Sequence, residues 1–112
     1  MGAFIKGDVV VLPFPYSDLS KSKNRPALVL AVPRQDEVIV CQITGRSTRP
    51  EYTISISDND FVQGGLNKAI SFVRSNHIFM VEPKVIKYRA GKLDPAKTSM
   101  VIESTIRILR EK

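Results

Sequence analysis

One uninterrupted apolar segment sets the architecture that this chain can adopt. Residues Ala27 to Pro33 carry no charge and are rich in Val and Leu. A short run of this kind predicts a strand buried on both faces, at the centre of a small sheet. Pro26 then stands at the first residue of the strand, where a missing N–H is tolerated. Pro26 also favours an extended backbone at Arg25, so we expect the guanidinium to project from the rim of the core.

A hairpin is predicted to bring Arg25 next to Thr44. Residues 34–36 read as a turn, and Glu37 to Ile43 reads as the next strand. In an antiparallel pair joined by a short turn, opposed residues have a nearly constant sum of positions. Positions near 25 therefore face positions near 44, at one end of the sheet.

The rest of the chain predicts a small, strongly bent barrel or half-barrel with one terminal helix, as a single domain over residues 1–112. Asp94 is a suitable N-cap and Pro95 suits the first helical turn, and apolar residues from Val101 to Leu109 recur on one face. Glu103 and Arg107 are spaced to pair on the opposite face. The further predicted strands are Asp8 to Leu12, Tyr52 to Ser57, Ala69 to Val73 and His77 to Val81, with a short irregular or strand segment in Val85 to Leu93.

A long polar loop is predicted from Pro13 to Asn24, because prolines, serines and lysines interrupt any regular pattern there. Loops of this length in compact domains are more often functional than idle. This one carries Tyr16, Lys21 and Lys23 close to Arg25.

The charge of the chain favours anionic partners. Seventeen Lys and Arg oppose eleven Asp and Glu, which gives a net charge of +6. RNA, DNA or an acidic protein are the partners that such a surface attracts. The N-terminal residues lack a hydrophobic signal core, and no apolar stretch approaches the length of a membrane span, so we expect a cytoplasmic protein without membrane contact.

Several classes of chemistry are excluded by the residue inventory. His77 is the single histidine and Cys41 the single cysteine, so a His/Cys metal cluster cannot form. Cys41 lies in a strand pattern and reads as a small buried hydrophobe. Asp58 and Asp60 read as turn residues, and no phosphate-binding glycine motif is present. We expect no metal and no cofactor, and any hydrolysis must depend on arginines and hydroxyls.

A series of motifs in order along the chain resembles the MazF/PemK family of type II toxins. Each motif alone is weak, but together they span nearly the whole chain at compatible spacing. The motifs are Lys6-Gly7-Asp8-Val9-Val10, Pro13-Phe14-Pro15, Lys23-Asn24-Arg25-Pro26-Ala27-Leu28-Val29-Leu30, Cys41-Gln42-Ile43-Thr44, Ser71-Phe72-Val73-Arg74 and Ala90-Gly91-Lys92-Leu93.

The resemblance implies a mainly β fold, an SH3-like barrel with a C-terminal helix, working as a homodimer. It implies metal-independent, sequence-specific cleavage of single-stranded RNA, in which a ribose 2′-OH attacks the adjacent phosphate and leaves a 2′,3′-cyclic phosphate and a 5′-OH. It also implies inhibition by an acidic antitoxin whose disordered tail folds into the RNA groove, with DNA binding by the pair.

By the same resemblance, Arg25 and Thr44 hold the scissile phosphate and Arg74 supports catalysis; Arg74 reads equally well as a surface charge at a strand end. Asn76 stands where the PemK-like branch carries an Asp proposed as an acid/base group, and an amide cannot accept that proton. The base could instead be Asp18, or orientation and electrostatics could act without one. His77 is adjacent but reads as structural.

The resemblance also implies that the loop and the residues around it contact the RNA. Phe14, Tyr16, Lys21 and Lys23 offer stacking surfaces and phosphate contacts, as single-strand binders require. Asn76 and Arg46 complete the predicted RNA-binding residues, and Arg49 could extend the basic track. Phe14 could equally belong to the core, and the arginines to a solvated surface.

One other function remains open at this point, and a related one is discounted. A non-catalytic module on the same barrel would bind nucleic acid or protein without cleaving it, because fold does not fix function. The related gyrase poison acts through a C-terminal tail bearing tryptophan, and this chain has no Trp.

Overall fold

The computed structural model describes residues 3–15, 22–46 and 49–111. Tyr16, Asp18 and Lys21 of the predicted loop therefore lie outside the described residues. The strands are β1 Asp8–Pro15, β2 Ser22–Arg34, β3 Glu37–Thr44, β4 Thr53–Ser57, β5 Phe61–Gly64, β6 Ile70–Val81 and β7 Tyr88–Leu93, followed by helix α1 Pro95–Arg110. Three short 3-10 helices span Pro50–Tyr52, Asp58–Asp60 and Pro83–Val85.

The seven strands form one antiparallel sheet that curls on itself. Its order is β4-β6-β3-β2-β1-β7-β5, so β4 and β5 are the two edges. These edges are joined in sequence only by the 3-10 helix Asp58–Asp60. Because three residues cannot span a flat sheet of seven strands, the sheet must bend until its edges approach each other. The predicted mainly β half-barrel with a C-terminal helix is confirmed.

Each face of the central strands covers its own apolar cluster. We call the side that packs on α1 the helix face; its cluster includes Leu28, Cys41, Val73 and helix residue Val101. The other side, which we call the open face, has a cluster of Val10, Leu12, Phe14, Ala27, Val29, Val38, Val40 and Ile86. Alternating strand residues supply the two clusters, which explains why the Ala27 to Pro33 run is apolar throughout.

The predicted loop is wrong at both ends, because β1 and β2 continue as a paired ribbon. Pro13 lies opposite Asn24, and Phe14 lies opposite Lys23. Pro26 is therefore inside β2, opposite Val11, and does not begin the strand. Pairing between two polar, proline-containing segments overrides their weak strand propensity.

Two further differences concern the second half of the chain. Gly64 and Gly65 form a pair that is typical of a turn, but Gly64 ends the four-residue strand β5. The two predicted strands around Arg74 form the single strand β6. That strand contains an irregularity that positions part of the candidate site.

Helix α1 begins as predicted. The backbone N–H of Ala96 donates to Oδ1 of Asp94 over 2.8 Å, and Pro95 occupies the first turn. Thr98, Val101 and Thr105 are its buried residues, while Leu109, expected on the packed face, is exposed. The predicted pairing of Arg107 with Glu103 is wrong, since Arg107 donates to Glu111 over 2.9 Å.

Asp8 links the N-terminal segment to β7. Its side chain is 2% exposed, accepts the N–H of Ile5 over 2.9 Å and lies 3.2 Å from Nε of Arg89. Lys92, its partner in the sheet, lies 3.9 Å away. Asp8 therefore holds β1 against β7, its neighbour on the side away from β2.

Candidate active site

Arg25 and Thr44 belong to one row that crosses four strands on the open face. Arg25 lies opposite Leu12 in β1, and Thr44 lies opposite Phe72 in β6. Strands β2 and β3 pair with Ala27 opposite Gln42, and the same register continued by two residues puts Arg25 opposite Thr44. Alternation from Val29 and Ala27, and from Val40 and Gln42, directs both side chains to the open face. The predicted proximity of the two residues therefore follows from the observed register.

Thr44 lies among basic residues. The N–H of Arg46 approaches Oγ1 of Thr44 at 3.4 Å. The side chain of Lys68 crosses over Gly45, where a Cβ would lie 2.9 Å from Nζ of Lys68. Sequence reasoning missed Lys68, because it stands in a turn more than twenty residues from Thr44. Three cationic residues therefore lie near the end of β3, namely Arg25, Arg46 and Lys68.

A wide bulge in β6 displaces the residues that follow Val73. Ile43 pairs with Val73 and Cys41 pairs with Ile78, so Gln42 is left opposite the four residues 74–77 of β6. Helix α1 supports this bulge from the helix face, where Oγ1 of Thr105 donates to the carbonyl oxygen of Ser75 over 2.9 Å. Bulges are frequent next to active sites, because they redirect side chains from the regular pleat.

The bulge brings His77 beside Gln42. Nδ1 of His77 lies 3.1 Å from Oε1 of Gln42, and the imidazole meets the ring of Phe79 edge-on at 6.4 Å between centroids. Burial, and next the positive charge of Arg74, lower the pKa of His77. The neutral form of the imidazole is therefore favoured at pH 7.

Phe14 and Phe79 cover the cluster of the open face between them. Their ring centroids are 5.2 Å apart, although β2 and β3 separate their strands in the sheet. Phe14 is 6% exposed, whereas Phe79 is 40% exposed. Of the two rings, Phe79 is the one that presents a surface to solvent.

Four other predicted residues belong to the described part of the chain, namely Lys23, Arg46, Arg74 and Asn76. Lys23 is exposed and lies opposite Phe14. Arg74 is half-buried, pairs with Thr53 of β4 and is near enough to His77 to lower its pKa. Asn76 and Arg46 are exposed. Tyr16 and Lys21 lie outside the described residues.

Cys41 is fully buried in the cluster of the helix face, which confirms the prediction of a small buried hydrophobe. Burial raises the pKa of its thiol to about 12. In the described part of the chain, no three His, Cys, Asp or Glu residues are grouped so that they could hold a metal ion. None of the helices in that part is both long and apolar enough to cross a membrane.

Solved structures with the same fold come from toxin–antitoxin systems. MazF from Deinococcus radiodurans superposes with a TM-score of 0.77 at 16% identity, over 99% of this chain and 100% of that chain. An endoribonuclease in complex with its cognate antitoxin, from a mycobacterial species, gives 0.71 at 15% identity, over 97% and 95%. Toxin MazF-mt6 of Mycobacterium tuberculosis gives 0.66 at 14% identity, over 92% and 98%.

The sequence comparison places the chain in a family. No curated protein sequence matches it significantly. The profile of the family described as "PemK-like, MazF-like toxin of type II toxin-antitoxin system" matches residues 5–109. Since this match covers almost the entire chain, the protein belongs to the PemK-like, MazF-like family of toxins of type II toxin–antitoxin systems.

Proposed function

We propose that this protein is a sequence-specific endoribonuclease that cleaves single-stranded RNA without a metal ion. The observation that carries the proposal is the pairing of Ala27 with Gln42, a register that, continued by two residues, sets Arg25 opposite Thr44 on the open face. Family membership supports it, as do the names of the similar structures, which describe endoribonucleases.

In the proposed reaction, the ribose 2′-OH attacks the adjacent phosphorus and the bond from phosphorus to the 5′ oxygen breaks. Negative charge grows on the non-bridging oxygens as the trigonal bipyramid forms. Arg25 supplies a planar, permanently charged donor that matches two of these oxygens. The Thr44 hydroxyl donates a further hydrogen bond, and both donors stabilise the transition state more than the substrate. The 5′ oxygen takes up a proton from water as it leaves, and the products are a 2′,3′-cyclic phosphate and a 5′-OH.

Arg74 has a supporting role in this proposal. Its charge acts on the same face and, after burial, is the second cause that lowers the pKa of His77. The proton of the 2′-OH needs an acceptor, and Asn76 cannot be that acceptor. Asp18 of the β1–β2 connection remains a candidate base, and otherwise the reaction proceeds by orientation and electrostatic stabilisation with water as the acceptor.

The proposed partners follow from charge and from the family. A net charge of +6 attracts RNA and also an acidic antitoxin segment, which would compete for the same cations. Similar structures include a complex of MazE with MazF from Deinococcus radiodurans. We infer that an acidic antitoxin inhibits this protein by covering the Arg25 and Thr44 row, and that the toxin acts as a homodimer in the cytoplasm.

The test is cleavage of a mixed-sequence RNA by purified protein in the presence of EDTA. Arg25→Ala and Thr44→Ala are compared with wild type, and the product ends are identified. Cuts that end in a cyclic phosphate, lost in both variants, are the expected result. If wild type leaves the RNA intact but still binds it in a salt-dependent manner, the nuclease proposal fails and the protein is a non-catalytic binding module.

A further inference from the structure

The bulged part of β6 carries a group of side chains to which neither the family match nor the proposed cleavage reaction gives a role. His77 and Gln42 are hydrogen-bonded to each other, and Phe79 stands next to the imidazole with its ring 40% exposed. All three are on the open face, the same face as Arg25 and Thr44. Tyr88 is also an exposed aromatic of the sheet, but Phe79 differs from it in standing next to a hydrogen-bonded polar pair.

We propose that Phe79, His77 and Gln42 form a subsite for one unpaired RNA base, next to the scissile phosphate. The inference rests on the proposed ribonuclease function and names where the sequence preference of that function arises. Phe79 offers the stacking surface, while Gln42 and His77 offer hydrogen-bonding groups to the edge of the base. Stacking on an aromatic ring together with contacts to a base edge is how proteins read single-stranded RNA.

The spacing along β3 fits one nucleotide. Gln42 and Thr44 are two residues apart on the same face, which corresponds to about 7 Å along a strand. This is close to the length of one nucleotide in an extended single strand. A phosphate held at Thr44 therefore leaves the neighbouring base within reach of Gln42.

The hydrogen bond between His77 and Gln42 gives the subsite a defined polarity. With Oε1 of Gln42 facing the ring, Nδ1 of His77 is the donor, and Nε2 of the neutral imidazole retains its lone pair. The amide NH₂ of Gln42 remains a donor. One donor and one acceptor on adjacent side chains match the acceptor and donor that a base presents side by side on its Watson–Crick edge. Burial, and next the charge of Arg74, lower the pKa of His77 and so favour the unprotonated Nε2.

The shape of the subsite depends on the bulge. In a regular ladder, the β6 partners of Cys41 and Ile43 would be two positions apart. The observed partners, Ile78 and Val73, are five positions apart. The extra residues allow His77 to reach back to Gln42. Bulges of this kind re-aim side chains at the cost of ladder hydrogen bonds.

The experiment measures where the protein cuts a randomised RNA pool, with all cut sites sequenced. Wild type is compared with Gln42→Leu, His77→Phe and Phe79→Leu. Tyr88→Leu is the matched control, because Tyr88 is an exposed aromatic on β7 with no contact to this group. Circular dichroism and thermal unfolding establish that each variant is folded.

The expected result is loss of base preference at one position beside the cut. We expect the preference to fall about tenfold in Gln42→Leu and Phe79→Leu, while Tyr88→Leu cuts with the wild-type pattern. An unchanged pattern in all three variants would overturn the inference. The inference would also be overturned if His77→Phe lost cleavage equally on every sequence, because His77 would then act as a general base. Loss of dimerisation in Phe79→Leu with the pattern intact would assign Phe79 to the contact between copies.

A second measurement separates this inference from the cleavage proposal. Binding of 2′-O-methyl RNA, which lacks the attacking hydroxyl, is compared across short oligonucleotides that differ at one base. If wild type cuts no RNA but binds with a preference that Phe79→Leu and Gln42→Leu remove, the subsite stands and the nuclease proposal fails. If wild type cuts RNA while the variants keep its preference, the nuclease stands and the subsite fails. Absence of both cleavage and base-dependent binding rejects both.

Discussion

Thr105 of α1 donates its hydroxyl proton to the carbonyl oxygen of Ser75, over 2.9 Å, inside the bulge of β6. Both residues are buried, and they are thirty positions apart in the chain. The helix lies on one face of the sheet, and Arg74 and His77 project from the other. A single hydrogen bond therefore links helix α1 to the bulge that carries Arg74 and His77.

Replacing Thr105 by Val should lower both stability and cleavage. The substitution leaves the buried carbonyl of Ser75 without its donor, which costs about 1–3 kcal/mol. Urea unfolding measures this loss, and RNA cleavage by the still-folded variant reports the relaxed bulge. Thr98→Val is a matched control, because Oγ1 of Thr98 bonds the carbonyl of Asp94 within the helix, away from the bulge.

A second variant tests the same connection from the strand. The buried Oγ of Ser75 has no hydrogen-bond partner within the described part of the chain, so Ser75→Ala should cause no loss of stability or a small gain. Ser75→Ala keeps the backbone carbonyl that Thr105 contacts. If Ser75→Ala and Thr105→Val are equally destabilising, the hydrogen bond does not support the bulge.

Replacing Lys68 by Met should weaken RNA binding without changing base preference. Its ammonium lies over Gly45, next to Thr44, where it can contact a phosphate. Loss of one phosphate contact reduces the salt slope of single-strand binding by about 0.7. Titration of a 2′-O-methyl oligonucleotide at several salt concentrations gives this slope. Lys84→Met is the control, since Lys84 pairs with Glu82 in the connection from β6 to β7, and an unchanged slope in Lys68→Met would count against the phosphate contact.

Replacing Asp8 by Asn should destabilise the protein by about 2 kcal/mol, because charge-assisted hydrogen bonds are lost in a buried setting. The carboxylate joins the N–H of Ile5, Arg89 and Lys92. Thermal or urea unfolding measures the change. Glu82→Gln removes the exposed ion pair with Lys84 and should cost less than about 1 kcal/mol. A similar cost for both variants would contradict the role assigned to Asp8.

The lowered pKa of His77 predicts a stability that falls in mild acid. The unfolded chain binds a proton near the ordinary pKa of 6.5, while folded His77 resists protonation. The unfolded state therefore holds more protons below this pH, so the free energy of unfolding decreases as pH falls from 7.5 to 5. Relative to His77→Gln, wild type should lose stability over this range. Parallel pH profiles for the two proteins would show that His77 titrates normally.

The central hairpin was predictable because its information is local. An apolar run, a polar turn and a second strand set positions near 25 opposite positions near 44. Two irregularities between Val29 and Arg34 then shift the pairing by two residues, which the local pattern does not reveal. The N-cap Asp94 was equally local. The motifs of the family then supplied the fold class.

The missed features depend on contacts between distant segments. Strand β5 has only four residues with Gly64 at its end, and its pairing with β7 overrides a turn pattern. The bulge opposite Gln42 depends on support from Thr105, which no periodicity in β6 reveals. Consequently the association of His77 with Gln42, and the position of Lys68 over Gly45, could be found only in three dimensions.

The position of β1 between β2 and β7 has a consequence for biosynthesis. A growing chain can pair β1 with β2 as soon as residue 34 has left the ribosome, but the outer edge of β1 waits for β7, which begins at Tyr88. During this interval the N–H and C=O groups of that edge are open to any other strand. The finished sheet hides this edge, so slow translation prolongs the period in which newly made toxin can mispair or be captured.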